Sequence, residues 1–230
     1  MWKELLRVWR SSDLLSLAWE ESYKMLEIDE RMFTEAVRVL RESDDSLVDL
    51  AIRELDTRVN KYERDVRRKV MTHCTVAWPT DIPGGMVLVS IVIDIERIGD
   101  YCKNILDLAS AHPRRLHVER YNSVLSEIEQ EIKACFQQAP EVLRSHDTDH
   151  ARQVMQTYRA QVSDTCDQIV QDVVTGKLNS ELAGEAAALA LYARYLKRIS
   201  AHLKNVLSSV VNPFHRIGYR EKRKDNGTGP

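Results

Sequence analysis

Residues 93–105 read Ile93-Asp94-Ile95-Glu96-Arg97-Ile98-Gly99-Asp100-Tyr101-Cys102-Lys103-Asn104-Ile105. Glu96 and Asp100 stand four residues apart, about one helical turn, so a helix presents both carboxylates on one face. The run before them, Met86 to Ile93, is almost wholly apolar. An apolar helix that abruptly shows two acids on one face wants a cation there, either a basic side chain or a metal ion. The stretch also has a copy. Arg97-Ile98 and Lys103-Asn104-Ile105 recur as Arg198-Ile199 and Lys204-Asn205-Val206, at an offset of 101 residues that holds across the match. A duplicated unit is the economical reading of such a repeat.

The breaks in the chain are sparse and regular. Ser43-Asp44-Asp45-Ser46 interrupts the first helical stretch and offers a cap to the next. Trp78-Pro79-Thr80-Asp81-Ile82-Pro83-Gly84-Gly85 reads as a loop. His112-Pro113-Arg114 breaks the chain near its middle, and Ser145-His146-Asp147-Thr148 and Gly176-Lys177-Leu178-Asn179-Ser180 are further turns. Six helical segments remain, at 13–43, 46–75, 84–111, 116–144, 147–175 and 180–211, with Pro140 expected to kink or end the fourth. In the second, Leu47, Leu50, Ala51, Leu55, Val59, Tyr62, Val66 and Val70 recur at steps of three and four and mark a buried stripe. The expected fold is therefore all-α, two tandem three-helix bundles. Its divisions are an N-terminal amphipathic segment at 1–12, a first bundle at 13–112, a second at 113–212 and a basic, disordered tail at 213–230.

Composition agrees with long helices: 30% charged residues against 8 Gly and 6 Pro, with 43% hydrophobic residues for a core. A net charge of −2 exerts no overall pull toward nucleic acid or membrane. Cys74, Cys102, Cys135 and Cys166 are isolated, which argues against a disulfide framework or zinc knuckle and for a reduced, cytosolic setting. No signal peptide is read, and the longest apolar run falls short of a membrane span.

The Glu96-Arg97-Ile98-Gly99-Asp100 core, followed by Asn104, resembles the third-helix signature of the PhoU family of phosphate-uptake regulators. Glu54-Leu55-Asp56-Thr57-Arg58-Val59-Asn60-Lys61-Tyr62-Glu63 resembles the family's second helix, and the Pro-containing loop follows as it does there. The resemblance covers most of the chain. It implies a metal cluster, iron first with zinc or magnesium as alternatives, on Asp56, Asn60, Glu96 and Asp100. Asn104 and Glu63 would be supporting partners one helical step away. It also implies a non-enzymatic, cytoplasmic adaptor that damps phosphate uptake by acting on a phosphate transporter ATPase and a sensor kinase. A homodimer with peripheral membrane association through the transporter belongs to the same expectation. The residues alone leave a second reading open, in which Arg58, Arg64 and Arg97 tie the same acids into interhelical salt bridges.

The second half departs from the family pattern. Ala193 to His202 aligns with a segment that ordinarily keeps both acids, yet it carries Lys197 and Ala201, and the fifth helix offers Arg159 and Ser163. This half is expected to be dead as a metal site. Arg159 and Lys197 are either an anion or acidic-partner contact or simply solvated cations.

The ends carry two weaker signals. Trp2, Leu5, Leu6 and Trp9 form one face of a basic amphipathic segment, suited to packing or to a membrane interface. The tail from His215 is rich in Arg and Lys and reads as solvated.

Other chemistry finds no support in the residues. A di-iron carboxylate enzyme needs Glu-x-x-His pairs, and the nearest form is Asp147-Thr148-Asp149-His150 at a turn. There is no Gly-rich phosphate loop, no paired nucleophile and base, and no basic-aromatic face for nucleic acid. A metal-free helical scaffold is the remaining alternative.

Overall fold

The three- and four-residue apolar steps close into the buried seams of six long helices. The computed structural model describes residues 2–44, 50–76, 81–112, 114–178 and 183–221; for 2–13, 50, 53 and 157–161 the description is of the backbone. The helices are α1 Trp2–Val37, α2 Leu50–Val76, α3 Ile82–Ala111, α4 Glu119–Ser145, α5 Thr148–Val174 and α6 Ala183–Val211. A π-helical turn, Arg38–Glu42, continues α1, and a short 3-10 turn, Phe214–Arg216, follows α6. No strand occurs among the described residues. Helices α1, α2 and α3 pack on one another, as do α4, α5 and α6, so the chain is two three-helix bundles.

The bundles lie side by side along two seams, α3 against α6 and α1 against α4. Phe33 and Phe136 meet in the second seam with ring centroids 5.6 Å apart. Arg41 crosses the same boundary to Glu129 at 3.0 Å, and the Tyr192 hydroxyl donates to that carboxylate at 2.8 Å. Burial pushes the Glu129 carboxyl upward, with Arg41 and Tyr192 opposing. Between the bundles α3 ends at Ala111, where His112 turns extended, and Leu116 N–H bonds back to the Leu40 carbonyl at 2.7 Å.

Several local expectations change. The second helix buries Leu55, Val59, Val66 and Val70 as its stripe requires, but Ala51 is exposed, and the side chains of Leu47 and Leu50 lie outside the described residues. So does the expected cap at Ser46. Gly84 and Gly85 are not loop residues: α3 starts at Ile82, with Pro83 in its first turn where a missing N–H costs nothing. Gly85 is buried because α2 and α3 approach closely there. A Cβ on it would stand 2.9 Å from Cys74 Sγ and 3.0 Å from Val70 Cγ1. Pro140 does not end α4, which runs on to Ser145. The forfeited hydrogen bond costs less than withdrawing Val142 and Leu143, both fully buried, from the core.

The termini also differ in part. The backbone of α1 is helical from Trp2 onward without a break at residue 12, and the faces of Trp2, Leu5, Leu6 and Trp9 lie outside the described residues. The beginning of the tail is ordered. Gly218 N–H donates to Ser208 Oγ at 2.7 Å, Asn212 Nδ2 donates to the Tyr219 carbonyl at 2.8 Å, and Arg152 pairs with Glu221 at 2.8 Å. Residues 222–230, with Lys222, Arg223 and Lys224, lie outside the described residues. No helix among the described residues is long and apolar enough to cross a membrane.

Candidate functional site in the first bundle

Helix α3 carries Glu96 and Asp100 on its partly exposed edge, one residue away from the core positions Ile95, Ile98 and Gly99. Helix α2 brings Asp56, which is buried, and Asn60, which is partly so. The four residues expected as ligands thus belong to two adjacent, packed helices. Their fields overlap. Burial raises the Glu96 carboxyl above the ordinary glutamate range, and Asp100, Glu63 and Asp56 raise it further against the opposing charge of Arg97.

The structure adds two residues that the motif reading left out. Lys103 reaches from α3 to α2, its Nζ 3.2 Å from Asp56 Oδ2, and that hydrogen bond and charge raise the ammonium above its usual range. The salt bridge between these helices is therefore Lys103 with Asp56. Arg97 lies 3.9 Å from Glu96 of its own helix, and Glu63 pairs with Arg67 along α2 at 3.1 Å. Among the described residues no ion pair joins Arg58 or Arg64 to the acids of the motif.

The second addition is Asp29 of α1. It has no solvent exposure, and neither carboxylate oxygen has a hydrogen-bond partner among the described residues. Its carboxyl is raised well above the usual aspartate value, first by burial and then by Asp56, Glu96 and Asp100. Gly99 makes the room for it: a Cβ there would stand 2.9 Å from Asp29 Oδ1 and 3.5 Å from Val59 Cγ1. Asp29 sits in the apolar run Met25, Leu26, Ile28, Met32, Phe33, and one acid on a buried stripe was the available sign of it.

Oxygen donors of this kind suit hard or intermediate cations. One feature fits a cation, the unpartnered buried carboxylate of Asp29. One does not. Among the described residues no three His, Cys, Asp or Glu side chains stand close enough together to hold an ion.

In the second bundle Lys197 takes the place of the first acid and pairs with Asp167, Nζ to Oδ2 2.5 Å. It is not a free cation waiting for an anion. The Arg159 side chain lies outside the described residues, and Ala201 offers no donor.

The comparisons follow this division of the molecule. The family model described as the PhoU domain matches twice, at residues 23–109 and 125–210, and the two matches end at the same 101-residue offset as the internal repeat. Among curated protein sequences none matches the chain. Solved structures that share the fold include two described as PhoU. The crystal structure of PhoU from Pseudomonas aeruginosa superposes with a TM-score of 0.78 at 22% identity, covering 87% of this chain and 96% of that one. The phosphate transport system regulatory protein PhoU from Streptococcus pneumoniae superposes at 0.73 with 13% identity, covering 87% and 95%. With both bundles matched by the family model, the chain belongs to the PhoU family.

Proposed function

We propose that this protein is a regulator of phosphate uptake and phosphate signalling, a cytoplasmic adaptor without catalytic activity that acts on a phosphate transporter ATPase, a sensor kinase, or both. The observation that carries the reading is the double match of the PhoU domain, one copy per bundle, over nearly the whole helical body. The likeness to a protein described as a phosphate transport system regulator supports it at the level of fold. An adaptor works by presenting surfaces. The two cross-bundle seams hold the outer helix faces in a fixed relation, which docking on a partner requires. A homodimer and peripheral attachment to the membrane through the transporter complete the proposal.

The first bundle would hold a cation on Asp56, Asn60, Glu96 and Asp100, with iron, zinc or magnesium as candidates. Bound there, a cation would neutralise the mutual repulsion of the carboxylates. The chain's own part is to hold α2 and α3 packed against each other, so that the acids lie on neighbouring helices. A metal-free scaffold is the second reading, and one observation favours it: Lys103 already neutralises Asp56 without a metal.

Deleting the gene in its host and measuring phosphate uptake and the phosphate-starvation response tests the regulatory reading. Unrestrained uptake with a constitutive response is the expected result. Unchanged uptake and an unchanged response would overturn it.

A further inference from the structure

We propose that one end of the molecule, where α1 begins, α3 begins and α6 ends, is a surface for direct contact with an anionic lipid membrane. Such contact is made by this chain itself, not through a transporter, and it does not depend on the phosphate reading.

Helix directions bring the three segments together. α3 and α6 run antiparallel: Arg198 meets Tyr101, and Asn205 meets Asp94. The 3-10 turn Phe214–Arg216 that follows α6 accordingly packs on α3, beside its first turns. α1 runs parallel to α3. Asp29 lies against Gly99, and a Cβ on Gly84 would stand 3.9 Å from Leu15 Cδ2. The helix is continuous from Trp2, so its first turns extend past the start of α3.

This end shows water an apolar and basic surface. Ile82, Met86 and Phe214 are exposed, and Tyr219 is 67% exposed. Arg220 is exposed beside it. Hydrogen bonds fix the backbone of the turn that carries the rings. Gly218, at a left-handed φ of 83°, donates to Ser208 Oγ, Asn212 donates to the Tyr219 carbonyl, and Arg216 Nη2 donates to the Arg220 carbonyl at 2.7 Å. A single exposed ring needs no explanation, but rings gathered with aliphatic side chains and cations mark an interaction surface.

Charge names the partner. Residues 1–12 and 213–224 carry eight Lys and Arg against two Glu, a net +6 in a chain whose total is −2. The same segments hold Trp2 and Trp9. Acids described at this end are engaged, Asp81 with His73 and Glu221 with Arg152. An anionic bilayer answers this chemistry: aromatic rings seat at headgroup depth, aliphatic side chains enter just below, and Lys and Arg are drawn to lipid phosphate. A protein interface fixes its register with complementary charges of both signs, and here cations outnumber acids four to one.

The test is co-sedimentation of the full chain with vesicles. Binding is expected to equimolar phosphatidylcholine and phosphatidylglycerol, to weaken with salt, and to be absent with phosphatidylcholine alone. Phe214→Ser/Tyr219→Ser and Arg220→Glu, both at exposed side chains, should each weaken binding by about tenfold. Arg114→Glu makes the same charge change at the opposite end, between α3 and α4, and should bind as the wild type does. Binding that survives the changes at Phe214, Tyr219 and Arg220 would overturn the surface, as would equal losses in Arg114→Glu and Arg220→Glu. No binding of the wild-type chain to the mixed vesicles would overturn direct lipid contact and leave docking on protein as the route to the membrane.

Discussion

His202 of α6 and Asp94 of α3 meet across the seam between the two bundles, His202 Nδ1 2.6 Å from Asp94 Oδ1. With its hydrogen on Nδ1, the imidazole donates to Asp94 and leaves Nε2 to accept from Arg198, 3.3 Å away. Asn205 Nδ2 donates to the same Asp94 oxygen at 3.0 Å. Tyr101 stacks on the imidazole, with centroids 5.8 Å apart, and its hydroxyl accepts from Arg198 Nε at 3.2 Å. The seam is thus pinned by a polar cluster on α3 and α6.

Replacing His202 by Ala removes the bond to Asp94 and leaves a partly buried acid with Asn205 alone. A loss of about 1–3 kcal/mol in unfolding free energy is expected. Urea denaturation measures it, and a change below about 0.5 kcal/mol would mean the cluster is not holding the bundles together.

Asp172, near the end of α5, accepts from the Tyr121 hydroxyl at 2.9 Å and from Gln168 at 2.7 Å, with Arg120 at 3.2 Å and Lys177 at 3.5 Å. These bonds, Tyr121 first, hold its carboxyl below the usual aspartate range. A depressed folded value means the stabilisation is complete above the unfolded aspartate value of about 3.9 and is lost as the pH falls through the lower folded value. Asp172→Asn should therefore be less stable at neutral pH and should lose less on acidification. Denaturation midpoints followed from roughly pH 6 down to pH 2 check the sign. Identical acid slopes for the two proteins would count against it.

Gly85→Leu should destabilise the first bundle. The new side chain would begin with a Cβ inside contact distance of Cys74 and Val70, and α2 would have to move away. Overpacking of this kind costs about 1–3 kcal/mol, more than the gain in helix propensity of roughly 1 kcal/mol. Thermal unfolding should show a lowered midpoint. A raised one would mean that the α2–α3 contact yields easily.

Restoring acids to the second bundle should not restore a site. Lys197→Glu/Ala201→Asp puts the missing pair on α6, but the Lys197–Asp167 pair is lost and Asp167 is left beside a new acid. The number of Mn2+ ions bound should stay at the wild-type value. A second tight ion would argue that two acids on one helix suffice.

The apolar steps of three and four, the turn residues and the internal repeat determined six helices and their grouping into two bundles. Each of those is a property of one helix or of a short link, so it can be read along the chain. The same holds for Glu96 and Asp100 on one face. What the tertiary structure decided is which charges meet. That Lys103 serves Asp56, that Lys197 serves Asp167 and that Gly99 makes room for Asp29 all depend on how far each helix is rotated and shifted against its neighbour. Asp29 and Gly99 lie 70 positions apart in sequence, and no local pattern encodes their contact. Close packing of the first bundle's core brings them together, and that packing is a property of all three helices at once.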